Sequence, residues 1–439
     1  MKEKHEAGAS RRQFLKAATS VVPALPIGAS AYAQGSDIIR VGVIGCGGRG
    51  TEAATQAMHV DKGVRIAAMA DLLMERAQEK RNLIRVKYPD QVTADDAHCF
   101  SGFDGYKHVI ESVDVVIIAN AAKFHPLHMT AAIEAGKHVF VEKPHAIDPA
   151  GSKAVRAACD LAKKKNLCVV SGLQSRYHPG YRETIQRIHD GAIGDIIAVQ
   201  EHFLRAPYVL YPRKPDLSEV EWQGSNQYHF HWLCGDDVPQ SLIHNLDRAS
   251  WAMHNDAPLK CHGMGGRSTL RGEIYGSVFD HHAVVYEFAS GVRIYAFCRT
   301  IPDCYNENSS IILGSKGRCD VMRMTIEGET KWQYTGPRTY SGPTSNPYFI
   351  EHAELFKAIR SGRAINNGDY MVRSTLIANM GQISCYTGKE VTWEQISTSD
   401  FYFAPKPEEV RPDMEAPVKP DADGNYPVFV PGVTKLLTA

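Results

Sequence analysis

The sequence predicts an α/β protein whose first part is a doubly wound parallel-sheet domain. Its second part is an α+β domain on a large open sheet, mixed or antiparallel. Three observations predict this. An apolar strand pattern over 38–44 runs into the turn Gly45-Cys46-Gly47-Gly48-Arg49-Gly50. Strand and helix patterns then alternate to about residue 160, and from residue 196 a series of strand patterns follows with turns between them.

The turn fits G-x-G-x-x-G through Gly45, Gly47 and Gly50. The first glycine permits the tight turn, the second lets a pyrophosphate approach the backbone, and the third allows close helix-strand packing. Phosphate would rest on free N–H groups at the helix start, those of Gly48 and Arg49 among them. A second strand, 64–70, ends at Asp71, about 20 residues on, where a carboxylate accepts from ribose hydroxyls. No arginine follows directly to receive a 2′-phosphate. The pattern is that of a Rossmann domain and favours NAD over NADP. Asp71 could instead cap the next helix.

Helices are expected at 74–87, 105–112, 127–135 and 150–165, and strands at 98–100, 114–119, 138–141 and 167–172. The β-branched run 114–119 suits a central strand buried on both faces. It leads into the loop Asn120-Ala121-Ala122-Lys123-Phe124-His125, at the sheet edge where such folds bind ligands. Later helices are expected at 181–189, 239–251, 346–361 and 370–386, and later strands at 196–203, 259–264, 283–288, 292–298 and 309–313. Residues 206–239, rich in Pro, Tyr, Trp and charge, lack clean periodicity and read as a binding loop or lid.

The chain of 439 residues divides into a signal segment at 1–33, a nucleotide domain at 37–160, a substrate and oligomerisation domain at 161–400 and an extended Pro-rich arm at 401–439. Ser10-Arg11-Arg12-Gln13-Phe14-Leu15-Lys16, a modest apolar run and Ala31-Tyr32-Ala33 resemble a twin-arginine export signal, predicting a periplasmic protein. That compartment holds little free nicotinamide nucleotide, so a tightly held cofactor is expected. With 49 basic and 49 acidic side chains, the composition offers no overall field for nucleic acid. No later segment has the length of apolar residues needed for membrane insertion. The ten cysteines form no C-x-x-C pair and are expected as buried free thiols. His229-Phe230-His231 and Asp280-His281-His282 look like ligand pairs, yet no metal is expected.

The run Ala135-Gly136-Lys137-His138-Val139-Phe140-Val141-Glu142-Lys143-Pro144 resembles the Gfo/Idh/MocA oxidoreductases, the family of glucose-fructose oxidoreductase and inositol dehydrogenase. The resemblance continues through Gly172-Leu173-Gln174-Ser175-Arg176-Tyr177, Gly191-Ala192-Ile193-Gly194 and His244-Asn245-Leu246-Asp247. It implies hydride transfer between a carbohydrate hydroxyl carbon and a nicotinamide cofactor, and a homo-oligomer, dimer or tetramer, formed through the large sheet. Lys143 is then the group that polarises the substrate oxygen, and His244, with a pKa suited to proton exchange, the base. His125, Asn120 and Glu142 join the cofactor set by position. Gln174, Arg176, Tyr177, Gln240, Asp247 and Tyr348 are the candidate substrate groups. Many members place Asp four residues before the histidine, where this chain has Gln240; Asp236 or Asp237 could substitute. The alternative is an NAD-dependent glycosidase, in which oxidation, elimination, water addition and reduction leave no net redox change.

Overall fold

The computed structural model describes residues 37–337 and 342–437. The export segment at 1–33 lies outside the described residues. The first sheet is built from β1 (Ile39–Ile44), β2 (Val64–Asp71), β3 (Cys99–Ser101), β4 (Val115–Ile118), β5 (His138–Val141) and β6 (Val169–Ser171), in the order β3-β2-β1-β4-β5-β6. Every neighbouring pair is parallel. β1 and β4, at the centre, are almost wholly buried; β4 is an unbroken β-branched run, and in β1 only Arg40 is exposed. The covering helices are α1 (Gly48–Val60), α2 (Met74–Lys87), α3 (Gly105–Ser112), α4 (His125–Glu134) and α5 (Pro149–Lys165). Asp148 caps α5 by accepting from Gly151 N–H, and Asn166 ends it in the left-handed conformation at φ 54°.

After α6 (Pro179–His189) the chain enters a nine-stranded sheet: β7 (Ile196–Arg205), β8 (Lys260–Gly266), β9 (His281–Glu287), β10 (Arg293–Thr300), β11 (Glu307–Gly314), β12 (Gly317–Asp320), β13 (Thr325–Gly328), β14 (Trp332–Gln333) and β15 (Val391–Thr392). β7 and β10 are parallel and the other neighbours antiparallel, so the sheet is mixed. β9 and β10 bury every second residue on the sheet face covered by α7 (Ile243–Ala252), which lies over β7 and β11, and the largely buried α9 (Gly368–Thr387), which lies over β8 and β9. Between these last helices in the chain, α8 (Pro347–Ser361) does something different. Its Leu355, Phe356 and Ile359 enter the same apolar cluster as Val41, Val43 and Ile117 of the first sheet.

Three expectations change. The stretch 206–239 is not devoid of regular structure: Glu219–Ser225 is helical, started by a reciprocal Ser218/Glu221 cap, and His231–Cys234 forms one further turn. Its aromatic content hid these short turns, because Trp222, Phe230 and Trp232 are core residues. The helix expected over 239–251 begins instead as a π-helical turn, Val238–Leu242, before α7 takes over. The Pro-rich arm is extended for the most part, yet it buries Val410, Val418 and Tyr426 against that same aromatic cluster. Nine cysteines are buried and Cys304 is exposed; none is bonded to another.

Glu201 of β7 is completely buried, accepting from Ser310 Oγ at 2.6 Å and Asn245 Nδ2 at 2.9 Å. Burial pushes its carboxyl up to about 8, against the opposing pull of Arg248 and these hydrogen bonds. Unfolded, the same group titrates near about 4.3, so between those values the folded chain holds a proton that the unfolded chain releases. Its stabilising contribution is therefore complete at acid pH and declines as pH rises toward 8. A Glu201→Gln variant should gain thermal stability relative to the parent progressively from about pH 5 to about pH 8 and level off above it, with an offset of a few degrees, in melting curves recorded across that range. A parallel offset at all pH values would contradict the assignment.

Candidate active site

The glycine turn is dictated by space. Gly45 has φ +95°, and a Cβ there would meet the Asn120 backbone nitrogen at 2.4 Å. A Cβ on Gly50 would come within 1.8 Å of the Gly45 carbonyl oxygen, which fixes α1 against the turn. At Gly47 and Gly48 an added Cβ would meet nothing within 4 Å. Gly47 precedes α1 without any side-chain cap, and no acidic residue lies in the first helical turn. Unpaired N–H groups thus face open space at the positive end of a helix, which suits an anionic phosphate.

This turn forms one wall of a cleft of about 1020 Å³, to which Gly45, Gly47, Gly48, Arg49, Asp71 and Asn120 all contribute. Asp71 is nearly buried at the end of β2. It accepts from Cys46 N–H at 2.8 Å and Leu73 N–H at 3.3 Å. Leu73, not Asp71, occupies the cap position of α2. Burial raises the Asp71 carboxyl, with Arg76, 3.6 Å away, pulling it back. Arg76 lines the cleft and went unnoticed in the sequence because it lies five residues beyond Asp71. One helical turn after the strand end brings it back to the mouth. The opposite wall comes from the 206–239 stretch, through Val209, Tyr211 and Tyr228.

A second cavity of about 770 Å³ shares Arg49, Ala119, Asn120, Gln227 and Tyr228 with the cleft. It gathers Glu142, Lys143, Gln174, Gln240, His244 and Tyr348, contributed by four separate segments of chain. Lys143, at the end of β5, donates from Nζ to the Gln240 carbonyl at 2.6 Å. Glu142 accepts from Arg49 Nε at 2.5 Å, and Arg49 also reaches Gln56 at 2.9 Å and Glu351 at 3.4 Å while lying over the Tyr348 ring at 4.6 Å. Burial drives the Glu351 carboxyl well upward, opposed by Arg49. Burial, and then the positive charges of Lys143, Arg248 and Arg49, hold the His244 imidazole well below its usual pKa, and therefore neutral. His244 Nδ1, Asn120 Oδ1 and Gln174 Oε1 are buried without a hydrogen-bond partner among the described residues. Polar atoms buried in this way are costly until something binds them.

Four predicted groups are not brought to this cavity. Arg176 and Asp247 are buried against each other, Arg176 Nη2 donating to Asp247 at 2.8 Å, with Ser374 Oγ donating at 2.8 Å and the guanidinium held between Trp251 and Tyr370. Tyr177 is buried, its hydroxyl donating to Asn367 at 2.7 Å. These three pack the domain rather than face substrate space. Asp247 was expected to share a face with His244 and Gln240; it follows His244 by three residues on α7, but its carboxylate is held by Arg176 and Ser374 and does not line the cavity. His125 lies behind the cavity wall, its ring nitrogens 2.8 Å and 2.9 Å from the carbonyls of Pro144 and Asn120, so it braces that loop from beneath. Asp236 Oδ2 is taken by Phe279 N–H and the Tyr386 hydroxyl, and Asp237 Oδ1 by Arg205 and Ser241. His231 pairs with Ser277, His281 with Asp280, and His282 with Gln382. Among the described residues, no group of three His, Cys, Asp or Glu side chains is placed to hold a metal.

Residues 39–173 match the Gfo/Idh/MocA family profile, described as "Oxidoreductase family, NAD-binding Rossmann fold". Among curated proteins, the chain is 27% identical over 219 residues to an inositol 2-dehydrogenase/D-chiro-inositol 3-dehydrogenase of Halalkalibacterium halodurans, covering 50% of this chain and 53% of that protein. It is 23% identical to an inositol 2-dehydrogenase of Acidiphilium cryptum, covering 74% and 87%. The chain thus spans about half the length of the first relative. Levoglucosan dehydrogenase in complex with NADH and levoglucosan has the same fold, with a TM-score of 0.61 at 21% identity, over 81% of this chain and 99% of that one. GenD2 from gentamicin A biosynthesis, in complex with NAD, gives 0.61 at 16% identity over 81% and 97%.

The turn geometry separates binding from folding. Gly47→Val should weaken NAD binding by at least about tenfold with little change in melting temperature, because its side chain would enter only the cleft. Gly50→Val should lower the melting temperature itself. Fluorescence titration and thermal melting of both variants check this; equal melting losses would refute it.

Proposed function

We propose that this chain, whose residues 39–173 form the NAD-binding domain of the Gfo/Idh/MocA oxidoreductase family, oxidises a hydroxyl-bearing carbon of a neutral sugar or glycoside. The observation that carries the reading is a cavity with Lys143 and His244 in its wall, joined to the glycine-turn cleft through Arg49 and Asn120. NAD bound in that cleft supplies the hydride acceptor. His244, kept neutral, takes the hydroxyl proton, and the Lys143 ammonium, oriented by the Gln240 carbonyl, stabilises negative charge developing on the substrate oxygen. Asn120 Oδ1 and Gln174 Oε1 accept from further hydroxyls. Gln240 adds no charge where many relatives carry Asp, which leaves Lys143 and His244 as the working pair.

The 206–239 stretch supports a nucleotide retained through turnover. Lys214 pairs with Glu75, the Arg76 guanidinium lies 5.6 Å over Tyr211, and Asn226 clasps both backbone groups of Tyr211 at 2.8 Å and 3.0 Å. These contacts tie the outer wall of the cleft to α2. Retention agrees with export along the twin-arginine route to the periplasm, where a second carbonyl substrate would reoxidise the reduced cofactor in place. The half-buried Val285, Tyr295 and Phe297 on the sheet face away from α7 and α9 support self-association as a dimer or tetramer.

Protein purified without added nucleotide should carry NAD, and a reactive sugar should raise the NADH band to about one equivalent per site before it stops. Steady release of free sugar without NADH would replace this reading with the redox-neutral glycosidase. Lys143→Met and His244→Ala should each lower kcat by about 100-fold or more and leave the bound nucleotide in place. The acid limb of kcat/KM should lie below pH 6.5, because the base is already deprotonated there. Full turnover by the double variant would end the proposal.

A further inference from the structure

The Pro-rich arm from Phe401 onward contributes no residue to the lining of the nucleotide cleft, yet it is fastened to both of the cleft's sides. On the inner side the cleft takes Asn120, Ala121 and Phe124 from the loop after β4. Lys123 of the same loop is buried and lines neither the cleft nor the substrate cavity. Its Nζ donates to the Phe403 carbonyl, and Asp148, at the start of α5, accepts from the Phe403 N–H at 3.2 Å. Both backbone groups of one arm residue are thus held from the nucleotide domain. An ammonium buried for one carbonyl and a carboxylate 3.9 Å away is a costly fastening, and the hydride chemistry does not use it.

On the outer side the cleft is lined by Gly224, Ser225, Asn226, Gln227 and Tyr228. The helix that carries the first two, Glu219–Ser225, is seven residues long, too short to hold its place without packing. The arm supplies that packing. The Tyr426 ring is fully buried, edge-on to Phe230 at 5.0 Å and beside Trp222 at 6.2 Å. Its hydroxyl donates to Glu219, and its carbonyl accepts from Arg267 Nη2 at 2.6 Å. Gln223, also fully buried, donates from Nε2 to the Val418 carbonyl at 2.7 Å and accepts from Trp232 Nε1 at 2.7 Å. Moving the outer helix away from the arm would strip these buried donors and acceptors of their partners.

We infer that the arm is a strap across the nucleotide cleft, with Lys123 and Tyr426 as its positioning residues, and that it sets how slowly the cofactor leaves. This rests on the NAD-dependent reading above and adds to it the element that makes retention possible. Release requires the two sides of the cleft to part, and the strap, anchored behind each, resists the parting. The coupling is reciprocal: NAD in the cleft, in contact with no arm residue, tightens the arm in turn.

The test follows amide hydrogen exchange in the nucleotide-free and the NAD-loaded protein. Loading should slow exchange across 403–426 by about fivefold or more and leave β12 and β13, which line neither the cleft nor the substrate cavity, unchanged. Tyr426→Phe, which removes the hydroxyl and keeps the ring, should speed release of radiolabelled NAD into excess unlabelled NAD by about tenfold, well below the melting temperature. Lys123→Met should do the same from the other anchorage and serves if the tyrosine variant does not fold. Ile312→Ala in β11, a buried change in the second sheet, should lower the melting temperature yet keep the release rate within about twofold of the parent. Arm exchange indifferent to NAD, or strap variants that release the nucleotide no faster than Ile312→Ala does, would overturn the strap and leave the NAD-dependent reading standing. Protein that takes up no NAD in either measurement would overturn that reading itself.

Discussion

A single guanidinium ties the functional half of this molecule together. Arg49 stands inside the glycine turn and bonds Gln56 on its own helix, yet its other partners come from distant parts of the chain: Glu142 at the end of β5, and Glu351 and Tyr348 on α8. The side chain is mostly buried, and removing the Glu142 carboxylate would leave the guanidinium without its nearest counter-charge. The arrangement fixes where α1 begins relative to Lys143. Since Arg49 faces both the cleft and the adjoining cavity, the geometry of phosphate binding and that of proton handling depend on the same ion network.

The sheet positions the reactive groups by a different logic. Asn120, Lys143 and Gln174 each follow a parallel strand, β4, β5 and β6 respectively, so they emerge along one edge as neighbours. His244 arrives from the other domain, and the π turn ahead of it brings the Gln240 carbonyl to the Lys143 ammonium. Wider helical turns of this kind recur at functional sites because they present backbone groups that a regular helix would conceal.

What the sequence made legible follows from range. The six strands of the first sheet, the glycine turn and the Glu142-Lys143-Pro144 end of β5 are set by local patterns, and they were readable as such. The roles of Arg176, Asp247 and Tyr177 were not, because a polar side chain in a pocket and one in a buried pair look alike until the partner is known, and their partners Ser374 and Asn367 lie far along the chain. Asp71 was legible as a strand-end carboxylate, whereas its neighbour Arg76 needed the helical turn to bring it back. Tyr208 and Tyr228 fell within a stretch singled out for its irregular composition, but nothing in that composition indicated that their rings stack in the wall of the Lys143–His244 cavity.

The course of α8 carries one more consequence. Leu355, Phe356 and Ile359 complete an apolar cluster whose other members come mostly from the strands of the first sheet and from α1, some two to three hundred residues earlier in the chain. The nucleotide-binding segment therefore does not own its whole interior. Cut out at its apparent boundary, it would present a bare hydrophobic flank, and a ribosome must deliver most of the polypeptide before that flank can be closed. In evolutionary terms the first 130 or so residues of the fold are not a cassette to be exchanged freely among relatives, because a change in their core obliges a matching change in a helix encoded near the opposite end of the gene.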